Sequence, residues 1–222
     1  MSDPQPKRLH LGCGYDIRPD WVNVDHPKLA ALHPEIVAAD FDSPAVHLPF
    51  DDASFEVLEA SHVIEHITHI LPFMQECWRV TRPGGYFYIE TPFGSSDDAW
   101  EDPTHVRRMF PGSFAYFSQP TYWRSDYGYR GDWRPKAVIL IVDQLRYPLG
   151  EKQHPQVVAD IMEKRNVVAA MKAVLECVKP ARNWWDPAGM DGFETRVMFA
   201  DMTGNDPAAA REARANANGV AE

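Results

Sequence analysis

Cysteine is scarce in this chain. Its three residues, Cys13, Cys77 and Cys177, stand far apart with no CxxC pair. That spacing excludes a disulfide framework and a zinc ribbon, and it suits a reducing cytoplasm. Long apolar runs are also missing, since the strongest, AVILIV at 137–142, stops at Asp143, well short of the roughly 20 residues that span a bilayer. No membrane association is expected. No apolar leader precedes the first strand pattern, so the expected location is cytoplasmic. Positive charge is in deficit, with 22 Lys and Arg against 32 Asp and Glu and a net charge of −10, which argues against duplex nucleic acid as the main partner. Internal repeats and linkers are absent. What remains, 222 residues of which 45% are hydrophobic and 24% charged, is the composition of a soluble domain large enough to hold a core without a metal or disulfide staple.

The first residues, 1–7, and the stretch 204–222 are polar or small and are expected to be flexible, leaving 8–203 as a single domain. Within it, short β-rich runs (RLHLG, WVNVD, EIVAAD, FEVLEAS, YFYIET) alternate with helical patterns. The expected class is α/β, a Rossmann-like, mostly parallel sheet with helices on both faces. From His66 to Thr81 apolar residues recur by threes and fours (Ile67, Ile70, Leu71, Met74, Cys77, Trp78) before Arg82-Pro83-Gly84-Gly85, which predicts a helix with a proline-glycine stop. The helical pattern returns over Val157–Val178. It is flanked by two late strands, 137–142 and FETRVMF, which such a helix can leave antiparallel at a sheet edge.

Between about residues 103 and 136 the periodicity is lost and rings crowd: Phe110, Phe114, Tyr116, Phe117, Tyr122, Trp123, Tyr127, Tyr129 and Trp133. So long an insert reads as an aromatic-rich lid, although large rings are more often packing residues. It also reverses the charge of the chain, with Arg107, Arg108, Arg124, Arg130, Arg134 and Lys136 against Asp126 and Asp132. Rings stack on sugar faces and arginine binds phosphate bidentately, so the expected acceptor is a small anionic or sugar-containing molecule such as a nucleotide sugar or glycan. Single-stranded nucleic acid would use the same residues, and a homodimer interface is the alternative for the rings.

Leu9-His10-Leu11-Gly12-Cys13-Gly14 closes the first predicted strand, where a glycine pair permits a tight turn and close approach to a ligand. WVNVD ends at Asp25, an acid placed to accept from both hydroxyls of a ribose, and the third run ends at Asp40-Phe41, a carboxylate for an adenine amino group beside an apolar wall. A GxGxxG nicotinamide signature is absent, because Tyr15, Asp16 and Ile17 follow Gly14.

Taken in order, LxLGCG, xNxD, LPFDDASFE, SHVIEH and RPGGYFYIETP over roughly residues 7–95 resemble class I S-adenosylmethionine-dependent methyltransferases, in particular the small type 11-like ones. The resemblance implies a seven-stranded sheet with S-adenosyl-L-methionine across its centre. It places Gly12 and Gly14 at the methionine part, Asp25 at the ribose, Asp40 and Phe41 at the adenine, and His62 near the sulfonium, with Leu11, Cys13, His26 and Ser61 completing the cofactor residues. One departure is the missing third glycine and helix after GxG, for which Arg18 can substitute as the partner of the methionine carboxylate.

Two clusters offer chemistry: His62-Val63-Ile64-Glu65-His66 and Asp102-Pro103-Thr104-His105. On a helix His62, Glu65 and His66 share one face. In one reading His66 or His105, with Asp102, performs acid–base catalysis. In another His62, Glu65, His66 and His105 hold a divalent metal, as implied by a resemblance to metal-dependent O-methyltransferases, small-RNA 2′-O-methyltransferases among them. Here His62 replaces the first Glu of that pattern, which favours a softer metal than magnesium. The structural alternative has Glu65 and His66 capping a helix and His105 bonding within the lid. The DPTH run also resembles methyltransferases found with polysaccharide synthesis, and a non-catalytic cofactor-binding module stays open.

Overall fold

A computed structural model describes residues 7–124, 126–144, 147–148, 154–183 and 192–200, so the expected flexible ends, Lys7 apart, lie outside the described residues. Eight strands form one sheet: β1 (Arg8–Leu11), β2 (Val22–Asp25), β3 (Ile36–Ala38), β4 (Phe55–Ser61), β5 (Thr81–Pro92), β6 (Trp133–Asp143), β7 (Ala170–Cys177) and β8 (Glu194–Ala200). Their order is β3-β2-β1-β4-β5-β7-β6-β8, and every neighbouring pair is parallel except the two made by β7. The fold is the expected Rossmann-like, mostly parallel α/β sheet, with eight strands in place of seven because Ala170–Cys177, within the expected helix, forms β7 between β5 and β6. The chain runs outward from β1 to β3 and then back to β4, so the strand order reverses between β1 and β4. A crevice at the carboxyl ends of those two strands is where open α/β sheets bind ligands.

One face of the sheet carries the core. Leu9, Leu11, Leu58, Ala60, Phe87 and Leu175 are sealed there against Phe73, Met74, Cys77 and Val80 of α2 (Ile70–Val80) and Val157 of α4 (His154–Glu163). The other face is charged. Glu90 on β5 pairs with Lys172 on β7 at 3.1 Å, Arg134 and Lys136 on β6 reach Glu176 at 3.5 and 3.4 Å, and Glu59 on β4 holds Arg18 at 2.8 Å. Among the described residues both α-helices longer than one turn pack on the core face. Residues 12–21 are too few to cross from β1 to β2 through a packed helix. The one-turn helices α1 (Pro27–Ala30) and α3 (Asp98–Glu101) bury little. No helix among the described residues is long and apolar enough to cross a membrane.

The helix expected over 157–178 is split. α4 ends at Glu163, Asn166 turns the chain at φ 58°, and β7 follows. Ala170–Cys177 is rich in helix formers, but Met171, Ala173, Leu175 and Cys177 alternate inward with Lys172, Val174 and Glu176 outward. The slot between β5 and β6, with hydrogen bonds on both sides, overrides that propensity. The antiparallel strand is thus β7, and the two late strands pair parallel. The helix expected over 66–81 starts at Ile70, after a 3-10 turn at Ile64–His66.

The insert is not structureless. It contains 3-10 turns at Pro111–Phe117 and Gln119–Arg124, and β6 begins at Trp133. Phe114, Phe117, Tyr129 and Trp133 belong to the core, the packing role that large rings usually have. Buried polar groups pin it as well. Gln119 donates to the Tyr129 and Gly131 carbonyls, and Asp132, fully buried, accepts from Gln119 N and from Arg182. Trp133 donates its indole N–H to the Met74 carbonyl of α2 at 3.0 Å. Replacing Trp133 with alanine should cost about 3–5 kcal/mol of unfolding free energy in urea. A loss below about 1 kcal/mol would show that the insert is not anchored through this ring.

Candidate functional site

The crevice begins where β1 ends. Gly12 N and Cys13 N both donate to the Val24 carbonyl, at 2.9 and 3.2 Å, and Gly14 N donates to Asp25 Oδ2 at 2.8 Å. His26 N satisfies the other Asp25 oxygen at 2.6 Å. The loop after β1 is thereby clipped onto the end of β2. Both glycines have left-handed backbones, φ 65° and 53°. A Cβ on Gly12 would stand 2.4 Å from Val63 Cγ2, so glycine is required for the loops after β1 and β4 to touch. A Cβ on Gly14 would meet nothing within 4 Å, which marks the open side of the crevice. Cys13 is buried, and burial together with the Asp25 carboxylate pushes its thiol up to about 11, so this is no reactive cysteine.

At the end of β3, Asp40 is exposed while Phe41 is buried edge-on against Phe73, so its ring is a core side chain as well as a candidate wall. Asp42, next in line, accepts from Thr68 N, the Thr68 hydroxyl and His69 N and so ties this loop to the start of α2. Arg18 is occupied elsewhere, bonded to Glu59 and Asp16 and lying over Trp21, and offers the structure no free guanidinium for a methionine carboxylate.

β4 delivers the chemistry-bearing residues. Ser61 ends the strand, half-buried, and His62 turns the chain with φ 55°, a left-handed backbone that is uncommon outside glycine. Glu65 and His66 therefore sit on a 3-10 turn and not, with His62, on one helix face. Glu65 is 1% exposed. Its Oε2 accepts from the Thr91 hydroxyl of β5 at 3.1 Å, and its backbone carbonyl accepts from Val106 N at 2.9 Å. That second bond brings in the Asp102–His105 loop. The His66 and His105 rings meet edge-on at 4.7 Å, and one ligand atom from each of Glu65, His66 and His105 lies within 4.8 Å of the other two. His62 stands outside this group, half-exposed, with Nδ1 3.2 Å from Glu65 Oε1; interaction with that carboxylate raises its pKa above the ordinary imidazole value. The structure thus assembles three of the four residues expected to hold a metal.

Asp102 organises both histidines. It accepts from Thr104 N at 2.7 Å and from the Thr104 hydroxyl at 2.6 Å, and it stands 3.8 Å from His105 Nε2. These Thr104 bonds hold its carboxyl below the usual range. Thr104 Oγ1 also meets His66 Nδ1 at 2.9 Å. A hydroxyl has one proton, and here it goes to Asp102, so the His66 contact must be Nδ1–H donating to Oγ1. His66 Nε2 is left with its lone pair. Sequence reasoning named the run but missed the part played by Thr104, although an aspartate two residues before a threonine is a legible Asx-turn signal.

The basic residues of the insert do not converge. Arg107 donates to the Ile67 and Thr68 carbonyls, Arg108 lies over Trp100 and bonds the His105 carbonyl, Arg130 pairs with Asp126, and Arg134 and Lys136 pair with Glu176. The Arg124 side chain lies outside the described residues.

Residues 7–89 match the family model described as a methyltransferase domain. A "Probable S-adenosylmethionine-dependent methyltransferase" of Mycolicibacterium smegmatis is 41% identical over 66 residues, 28% of this chain and 26% of that protein. One of the same description from Mycobacterium tuberculosis is 28% identical over 123 residues, covering 46% of this chain and 42% of the relative. The chain therefore spans less than half the length of either. Among solved structures, a SAM dependent methyltransferase from Archaeoglobus fulgidus shares the fold with a TM-score of 0.54 at 14% identity, over 78% of this chain and 86% of that one.

The contact between the two loops is testable by a double-mutant cycle. Gly12→Ala should destabilise the protein by about 1–3 kcal/mol in chemical denaturation, through both its positive φ and the clash. In a Val63→Ala background about 1 kcal/mol of that cost should vanish, whereas strictly additive costs would show that the side chains do not meet.

Proposed function

We propose that this chain, whose residues 7–89 match a methyltransferase-domain family model, is a class I S-adenosylmethionine-dependent methyltransferase that transfers the methyl group to an acceptor hydroxyl beside the Glu65–His66–His105 cluster. Gly14 supports the cofactor's place, because the missing Cβ leaves open the space that a ligand at the end of β1 would fill. Asp25 is the ribose partner, with lone pairs remaining beyond the two backbone bonds it accepts. Asp40 and Phe41 serve the adenine, and Leu11, Gly12, Cys13, His26, Ser61 and His62 border the remainder. Bound there, S-adenosylmethionine supplies an electrophilic methyl carbon on a sulfonium.

The observation that carries the chemistry is the chain Asp102–Thr104–His66. It fixes the tautomer that leaves His66 Nε2 free to take the acceptor's hydroxyl proton as its oxygen attacks in line. His105, 93% buried at its side chain, walls the site and excludes water. A second reading has its own support. His105 Nδ1 is buried without a hydrogen-bond partner among the described residues, and one ligand atom each of Glu65, His66 and His105 converge. A divalent metal held by these three residues would polarise the acceptor oxygen.

For the acceptor, a sugar-bearing head draws support from the exposed rings Tyr116 and Tyr127 of the insert. An anionic group would have to displace the ion pairs that now hold the insert's arginines. The net charge of −10 still weighs against duplex nucleic acid.

Asp25→Asn should weaken S-adenosylmethionine binding by about tenfold or more in calorimetry, with a modest fall in melting temperature because one of the two backbone N–H groups loses its acceptor; wild-type affinity would remove Asp25 from the site. His66→Ala should cut turnover by about a hundredfold or more at unchanged cofactor affinity, read as S-adenosylhomocysteine formed with hydroxylated acceptors. Thr104→Val should lower kcat at unchanged cofactor affinity. If exhaustive chelation abolishes activity and a divalent ion restores it, the metal reading replaces the general base. Cofactor binding with no turnover on any acceptor leaves a binding module.

A further inference from the structure

A second cavity adjoins this site. A cleft of about 1050 Å³ opens between α4 and the β6–β8 edge, walled by Phe93, Phe110, Leu140, Val158, Ile161 and Val197. It lies on the core face, at the same level of the sheet as the catalytic cluster. Strand register gives the connection. Thr91, whose hydroxyl meets Glu65, is paired with Met171, Met171 with Leu140, and Leu140 with Val197, a row crossing four strands on one face. Neighbouring strands are about 4.8 Å apart, so the cleft wall at Leu140 stands about 10 Å from Thr91 along that row. The segment from His105 to Phe110 makes the same link along the chain, with Gly94 N bonded to the Met109 carbonyl and Phe110 packed on Phe93 at 5.3 Å.

The chemistry of the cleft differs from that of the cluster. Phe110, Val158 and Met162 stand 45%, 41% and 82% exposed along it, an apolar surface left in water. Of the charges at its rim, Lys164 pairs with Asp160, Arg165 with Asp97 and Arg196 with Glu194, and Glu163 stands exposed at the edge. Within the wall, the Ser95 hydroxyl is buried without a hydrogen-bond partner among the described residues. An uncharged, elongated apolar group matches this lining, and a sugar or phosphate does not.

We propose that this cleft seats the hydrocarbon chain of the acceptor, so that the substrate is amphipathic, its hydroxyl head at His66 and its chain under α4. The inference rests on the transferase reading for the head and on the cleft alone for the chain.

The test is photolabelling of the full chain with a diazirine-bearing long-chain alcohol, mapped by peptide mass spectrometry, with S-adenosylmethionine calorimetry on the same samples. Labelling should saturate and map to the peptides holding Phe110 and Val158–Met162. It should fall about tenfold in Val158→Glu and in Met162→Glu, because a carboxylate beside the chain opposes its burial at positions exposed enough to leave the fold intact. Cofactor affinity should not change. Diffuse labelling, or labelling indifferent to both variants, overturns the proposal. So does a dimer in light scattering that shields these peptides without any probe, since a second copy would then fill the cleft. Labelling at the cleft in a protein that fails to bind cofactor keeps the chain site and sinks the transferase reading. Cofactor binding without labelling does the reverse.

Discussion

The contact of Gly12 with Val63 is the constraint on which the site depends. It requires that the loop after β1 lack a side chain and that the loop after β4 lean across it, at the point where the strand order reverses. The backbone of β2 then holds the first loop through Val24 and Asp25. With one face of the crevice fixed in this way, the left-handed turn at His62 sets where Glu65 and His66 emerge. The loop after β1 and the Glu65–His66–His105 cluster, from distant parts of the chain, are thus positioned by one steric requirement and one unusual backbone angle.

Across the crevice, a loop acid governs buried chemistry. Asp102 is well exposed, yet through Thr104 it selects which nitrogen of His66 carries the proton. The loop holding it is attached to the His66 segment at several points: Val106 N to the Glu65 carbonyl, and Arg107 to Ile67 and Thr68. Of the arginines that look in the sequence like a docking patch, Arg107 fastens the two loops together, while Arg130 and Arg134 pair with carboxylates. Their charge is spent on carbonyls and carboxylates of the chain, which is why counting charges along the insert misjudges what the insert offers to a ligand.

Most of the fold is legible in the residues that end its strands. Gly12, Asp25, Asp40 and Ser61 punctuate short apolar runs, and the crevice follows from their order. β7 is not legible, because Ala, Met, Lys, Leu and Glu favour a helix and only the vacant slot between two strands makes them extended. The cluster is half legible. His66 and His105 stand out as motif residues, but a helix face drawn through His62, Glu65 and His66 supposes regular backbone, and no local pattern announces a histidine at positive φ. The role of Thr91 comes from sheet register, and that of the Glu65 carboxylate from its burial, neither of which a linear sequence displays.

The charged face of the sheet has a consequence for how this protein can change. Its residues make exposed ion pairs across strands, each contributing only about 0–1 kcal/mol, in place of a packed helical layer. Substitution there has little to disrupt, while the inward rows of the same strands are sealed and admit almost none. Each central strand therefore carries two histories side by side, every second residue held by packing and its neighbours nearly free to drift. Natural copies of this chain are expected to diverge with a period of two along β4, β5 and β7, and the outward positions are where a new surface can be acquired without moving the crevice at the strand ends.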